Sequence, residues 1–172
     1  SWDLSGQYGE NKMDFNVSHS LNASLGPKIP PNQTGFFAGT YTFGQAIGNF
    51  DVTREFSVGL AGPLNVALGV ELRSERYKLA AGEPNAYIYG GQPNQFGTLA
   101  APGDQVFPGV RPDNATNSTR TNSALYADFE GDITHRLRLG LAGRYEHYSD
   151  FGGTTTGKLT ARYQLFDRLA LR

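Results

Sequence analysis

From Leu64 to Arg73 the chain alternates without a fault, with Leu64, Val66, Leu68, Val70 and Leu72 on one parity. Asn65, Ala67, Gly69, Glu71 and Arg73 fill the other, and the polar side continues to Glu75. Successive strand side chains point to opposite faces, so this segment predicts a strand with one oily and one polar side. The pattern returns after Arg136, where Leu137, Leu139 and Leu141 alternate with Arg138, Gly140 and Ala142, followed by Arg144 and Glu146. A soluble sheet turns such an oily face inward. A membrane barrel turns it outward, toward lipid.

Connections between the alternating runs come in two kinds. Ala61-Gly62-Pro63, Thr134-His135-Arg136 and Phe166-Asp167-Arg168 have the length of hairpin turns. Residues 23–44 and 80–121, by contrast, are long and rich in glycine and proline, and the connection around residues 150–154 is short but glycine-rich. A structureless loop of about 40 residues is abnormal in a compact domain. Long and tight connections take strict turns along the chain, which predicts up-and-down strands with tight turns at one end and loops at the other. The runs at 45–60 and 64–78 exceed the five or six residues of an ordinary strand. Crossing a membrane takes about 9 to 11 residues, so length also favours a barrel.

Composition sharpens this picture mainly by exclusion. Fifteen basic against 16 acidic residues leave a net charge of -1, which gives nucleic acid nothing to bind. The absence of cysteine removes disulfides, thiolate zinc sites and thiol nucleophiles. No stretch approaches about 18 consecutive apolar residues, the minimum for a membrane helix, but barrel strands are only half apolar and escape that test. The 22 glycines, nine tyrosines and 11 phenylalanines suit turns and pleated surfaces. The opening Ser1-Trp2-Asp3 and the closing Leu169-Ala170-Leu171-Arg172 both look cut, which predicts an excised fragment.

Two stretches carry a family resemblance. Pro63-Leu64-Asn65-Val66-Ala67-Leu68-Gly69-Val70-Glu71-Leu72-Arg73-Ser74-Glu75-Arg76-Tyr77, continuing into Ala81-Gly82-Glu83-Pro84, resembles a strand of TonB-dependent outer-membrane receptors. Leu139-Gly140-Leu141-Ala142-Gly143-Arg144-Tyr145-Glu146-His147-Tyr148-Ser149-Asp150-Phe151-Gly152 is similar to another, and Trp2 with Tyr8-Gly9-Glu10-Asn11 is a weaker third match. The resemblance implies a barrel of about 22 strands plugged by a globular domain. It implies energised uptake of a scarce nutrient (siderophore, cobalamin or glycan), with outer-membrane lipid, plug, TonB and a small-molecule ligand as partners. Plug, TonB-contacting segment and terminal aromatic strand are missing from the pattern.

The expected fold is therefore all-β: one partial barrel domain over residues 1–172, an antiparallel meander of about six to seven strands. The smallest single-chain barrels have about 8 strands, so the fragment is expected to self-associate through open edges. The competing reading is a soluble, secreted β-sandwich that binds carbohydrate. It requires a second sheet over the oily face.

On the polar parity, Glu71, Arg73, Glu75, Arg144 and Glu146 are candidate lumen residues for ligand or plug, joined by Arg138, Lys158, Arg162, Asp128, Glu130 and Asp132. Cross-strand charge pairing explains the same residues without a ligand. Tyr77, Tyr126, Tyr145, Tyr148, Phe151 and Tyr163 are candidates for an interfacial girdle. In the longest loop, Tyr87, Tyr89, Phe96 and Phe107 among small polar residues form the best ligand-capture surface, and that loop is expected to be the least ordered part. His19, His135 and His147 show no metal spacing, and His147, Ser149 and Asp150 are too close in sequence to converge as a catalytic set. No cofactor and no enzymatic activity are expected. Asn-x-Ser/Thr sequons at Asn16, Asn22, Asn32, Asn114 and Asn117 read as chance products of an Asn/Ser/Thr-rich surface.

Overall fold

The computed structural model describes residues 1–166 and 169–171. Seven strands lie among them: β1 (Trp2–Ser18), β2 (Gly35–Phe56), β3 (Leu64–Ala81), β4 (Thr116–Thr134), β5 (Leu137–Tyr148), β6 (Gly152–Phe166) and β7 (Leu169–Leu171). They form one antiparallel sheet whose spatial order is the sequence order, a pure meander. The predicted fold class holds. A second sheet, which the sandwich reading needs, is not found among the described residues.

The first four connections alternate as expected, with shifted bounds, but the β5–β6 connection is only residues 149–151 and is as short as a turn, so the alternation ends there. Residues 57–63 and 135–136 make the short links, while residues 19–34 and 82–115 make the long ones. At the β4–β5 turn, Thr134 Oγ1 accepts from the backbone N–H groups of Arg136 (3.3 Å) and Leu137 (3.0 Å). A hydroxyl that ties down its own turn in this way favours the tight hairpin. Asp167 and Arg168 of the third predicted turn lie outside the described residues. The first long loop was expected over 23–44, but β2 begins at Gly35. Phe36, Phe37, Tyr41 and Phe43 continue the strand there, and aromatic β-propensity outweighs the glycines around them.

By packing, the chain forms two compact units. The first comprises residues 1–8, 45–75 and 120–172, and the second residues 9–44 and 76–119. In the first unit the register of β4, β5 and β6 sorts the side chains. Leu125 lies opposite Tyr145, and Phe129 opposite Leu141, which in turn faces Leu159. On the other face Tyr126 opposes Arg144, Asp132 opposes Arg138, and Ala142 opposes both Asp128 and Lys158. The exposure is inverted relative to a soluble sheet: Leu141 is 57% and Leu159 75% exposed, while the Glu71 and Glu75 side chains keep only 14%. A soluble domain hides large apolar side chains and leaves carboxylates in water.

The second unit holds an ordinary small core, built from Leu25, Phe36, Ala38 and Ala86. The longest loop has local structure of its own. It carries a helical turn at Pro84–Tyr87 and a 3-10 turn at Pro112–Asn114. It is tied to the first loop by buried polar groups. Asn22 Nδ2 donates to the carbonyls of Asn85 and Ile88 (both 2.9 Å), and Ser24 Oγ donates to Asn22 Oδ1 at 2.6 Å. The sequon at Asn22 is thus buried and committed within the fold.

Gly90 is where the two loops touch most closely. A Cβ there would overlap the Ser24 carbonyl and sit 2.6 Å from Leu25 Cα, both backbone atoms that cannot rotate away. Gly90→Ala should therefore cost about 1–3 kcal/mol of local stability, the usual range for overpacking. Faster tryptic cleavage at Lys28, on the first loop, is the expected readout; unchanged cleavage would show that the loops do not clasp at this point.

Candidate functional site

Alternation in β3 sends Glu71, Arg73 and Glu75 to one face, and the register of β4 with β5 places Arg144 and Glu146 on the corresponding polar face beside Tyr126. The five charged residues singled out in the sequence do converge. Glu71 Oε1 accepts from Arg73 Nη2 at 2.6 Å and from Arg144 Nη2 at 3.1 Å. Arg144 also binds Glu146 Oε1 through Nη2 (2.8 Å) and Nε (3.0 Å). Arg73 Nη1 reaches Glu75 Oε1 at 4.0 Å. The signs alternate along β3 and along β5, and Glu71 with Arg144 links the two strands, so each charge has an opposite one within 4.0 Å.

Residues that sequence reading placed elsewhere complete this network. Arg120, which falls inside the expected 80–121 connection, donates from Nε to Glu75 Oε2 at 2.9 Å, while Gln45 donates to Glu75 Oε1 at 2.9 Å. Tyr126 and Tyr148 were girdle candidates, but both project from the polar face. Tyr126 donates its hydroxyl to Asp51, and its ring lies beneath the Arg144 guanidinium at 5.9 Å. The Tyr148 ring sits 5.4 Å from the Arg120 guanidinium and stacks on Phe151 at 4.4 Å. The reason is parity, because Tyr126 and Tyr148 fall an even step from charged neighbours on their own strands. Tyr145 and Tyr163 fall on the leucine face. Gly69 explains the close fit, since a Cβ there would overlap the Tyr126 ring. A glycine inside a strand is the one sequence signal of such an approach.

Polar groups exceed their partners on this face. Arg73 Nε and both amide atoms of Asn122 are buried without a hydrogen bond among the described residues. A groove of about 700 Å³ runs along the face past Asp51, Glu71, Tyr126, Asp128, Arg144 and Lys158. Such a surface can hold a polar guest by hydrogen bonds and ion pairs. Among the described residues no group of three or more His, Cys, Asp or Glu is placed to hold a metal ion.

The three aromatic candidates lie in the second unit. Tyr87 and Tyr89 line a cavity of about 500 Å³ with Ile88, Arg111, Pro112 and Asp113. Phe107 does not join them; it stacks on Phe15 at 5.3 Å. Tyr77 packs edge-on against Tyr41 at 5.1 Å.

One titratable group in this unit escaped the sequence reading. Asp104 is buried, and neither carboxylate oxygen meets a hydrogen-bond partner among the described residues. Burial holds its pKa above the ordinary carboxylate value, aided by the charge on Glu83. The N–H groups of Asp104 and Gly109 oppose the shift weakly, as both already donate to the Ala86 carbonyl. A raised folded-state pKa means that ionisation is easier in the unfolded chain. Stability of this unit is therefore full below the ordinary carboxylate pKa and falls as pH rises through it toward the folded value. Asp104→Asn should abolish that decline, seen as amide exchange at Gly109 that, once corrected for intrinsic rate, no longer quickens from about pH 4 to neutrality. A decline that survives the substitution would assign it to another group.

A family model described as the TonB dependent receptor-like β-barrel matches residues 1–172. No curated protein and no solved structure matches the chain. A whole-length family match, a meander of long strands and a sheet with leucines outside and ion pairs on its covered face agree: the chain belongs to the TonB-dependent receptor β-barrel family, whose members are receptors and transporters of the bacterial outer membrane.

Proposed function

We propose that this chain forms part of the wall of an outer-membrane receptor for energised uptake of a scarce nutrient, with its leucine face against lipid and its charged face toward the lumen. The exposure of Leu68, Leu72, Leu125, Leu141 and Leu159 beside half-buried ion pairs carries the reading. Tyr163 pairs with Leu137, and eight residues up β5 stands Tyr145. That separation is about 26 Å along the strand, or about 20 Å of depth at a tilt of about 40°, close to the apolar band of such barrels. These two tyrosines fit the two edges of that band.

In this reading Glu71, Arg73, Glu75, Arg144 and Glu146 are lumen contacts for the plug or for passing ligand. The unsatisfied Arg73 and Asn122 groups support it, because a buried donor or acceptor favours a partner that completes its hydrogen bonds. Tyr87, Tyr89 and Phe107 are proposed as the first contacts for the nutrient, which is a siderophore, cobalamin or glycan. Uptake of radiolabelled ferric siderophore, cobalamin and oligosaccharide by cells with and without the gene tests this. One label should accumulate in an energy-dependent way and fall with Tyr87→Ala plus Tyr89→Ala. Recovery of the intact protein in the soluble fraction, with no label dependent on the gene, would overturn the reading.

A further inference from the structure

The stretch from Asp104 to Gly109 leaves the second unit and re-enters it at one point. The backbone N–H groups of Asp104 and Gly109 both donate to the Ala86 carbonyl, at 3.0 and 2.8 Å. Gly103 and Gly109 lie so close to Ala86 that a Cβ on either would overlap it. The base of this loop is therefore fixed, and contacts made by its tip decide the course of the residues between.

The tip has two anchors, one on the first long loop and one on β1. Gln105 donates its N–H to the Leu21 carbonyl at 3.2 Å, and its own carbonyl accepts from Ser20 Oγ at 2.9 Å. Two residues on, the Phe107 ring stacks on Phe15 at 5.3 Å. Val106 stands between these anchors. Its φ is 84°, left-handed backbone that a β-branched residue adopts only under strain. Its side chain is 97% exposed, and it makes no hydrogen bond among the described residues. Asp104, on the other side of Gln105, keeps a buried carboxylate without a partner among the described residues, a second cost that water entering the loop relieves.

We propose that residues 105–108 form a latch held closed under strain, which opens while its base stays in place and frees the Phe107 and Phe15 rings for a guest. The anchors are two hydrogen bonds and one ring pair, gains of the same order as the strain they impose on Val106. Closed and open arrangements are therefore near balance, as in other segments that open locally below global unfolding. What the freed rings contact rests on the reading of Phe107 as a nutrient contact; the latch itself does not.

Hydrogen exchange of the intact protein in detergent, corrected for intrinsic rates, tests the latch without any ligand. The Gln105 amide should exchange faster than that of Val110, which is bound beside the base to the Ala38 carbonyl at 2.7 Å. Val106→Asn, which takes left-handed backbone at little cost, should slow exchange at Gln105 about fivefold and leave Val110 unchanged. Ser20→Ala, which cuts one anchor, should quicken it about fivefold. Common exchange of Gln105 and Val110, no slowing by Val106→Asn, or effects that spread to Val110 would overturn the latch. Uptake of the accumulating label is read in parallel. Below saturation Val106→Asn should lower it by the same factor as the exchange, because fewer molecules present the open form, and unchanged uptake would overturn the release of the rings. If the latch opens but no label depends on the gene, only the nutrient reading falls; if a label accumulates but the latch never opens, only this inference falls.

Discussion

Leu141→Arg should destabilise the folded protein in a bilayer by about 2–4 kcal/mol, the cost of an arginine on the lipid face near mid-depth. Leu141 faces Phe129 on one neighbour and Leu159 on the other, in the middle of the leucine band, and is already 57% exposed. That exposure makes the result decisive. On a water-facing surface the same change would stay within about 0.5 kcal/mol, because an exposed side chain gives up little when it becomes charged. Urea unfolding in lipid vesicles measures the difference. A neutral result would mean that the leucine face meets water or another protein surface.

The second large effect is expected at Glu71, the carboxylate shared by Arg73 and Arg144. Glu71→Gln keeps the shape and removes the charge, leaving two guanidinium groups facing a neutral amide. Removing one partner of a fully buried ion pair costs about 3–5 kcal/mol, and the partial exposure of these arginines lowers the expected cost to about 1–3 kcal/mol. High salt should narrow the gap to the unaltered protein by screening the two cations. Adding Arg144→Met should recover part of the loss, because the second cation is then gone; strict additivity in this double-mutant cycle would show that the pair is not coupled.

Both predictions concern features that period-2 alternation already placed on opposite faces of β3 and β5. Strand alternation is local: it follows from backbone geometry and needs no knowledge of what the strand touches. The same holds for the Thr134 turn, whose side chain closes it over three residues. Family membership was legible for a related reason, as the motifs at Gly69–Glu71 and Arg144–Glu146 lie within single strands.

Register and long-range packing could not be read in this way. Tyr126 and Tyr145 have the same composition-based preference for an interface, yet one step of parity and one cross-strand partner send the first to Asp51 and the second to the leucines. Arg120 joins Glu75 across 45 residues of chain. The longest loop looked structureless because glycine and proline signal irregular backbone. Its order comes from contacts with a loop some 60 residues away, such as Asn22 with Asn85 and Ile88.

By itself the sequence determined that the chain is a meander of two-faced strands, with its two long loops separated by short links, because each of those properties is set by neighbours along the chain. Only the tertiary structure decided which charges share a carboxylate and which tyrosines leave the leucine face. Those outcomes depend on strand register, and register is fixed by partners that are distant in sequence.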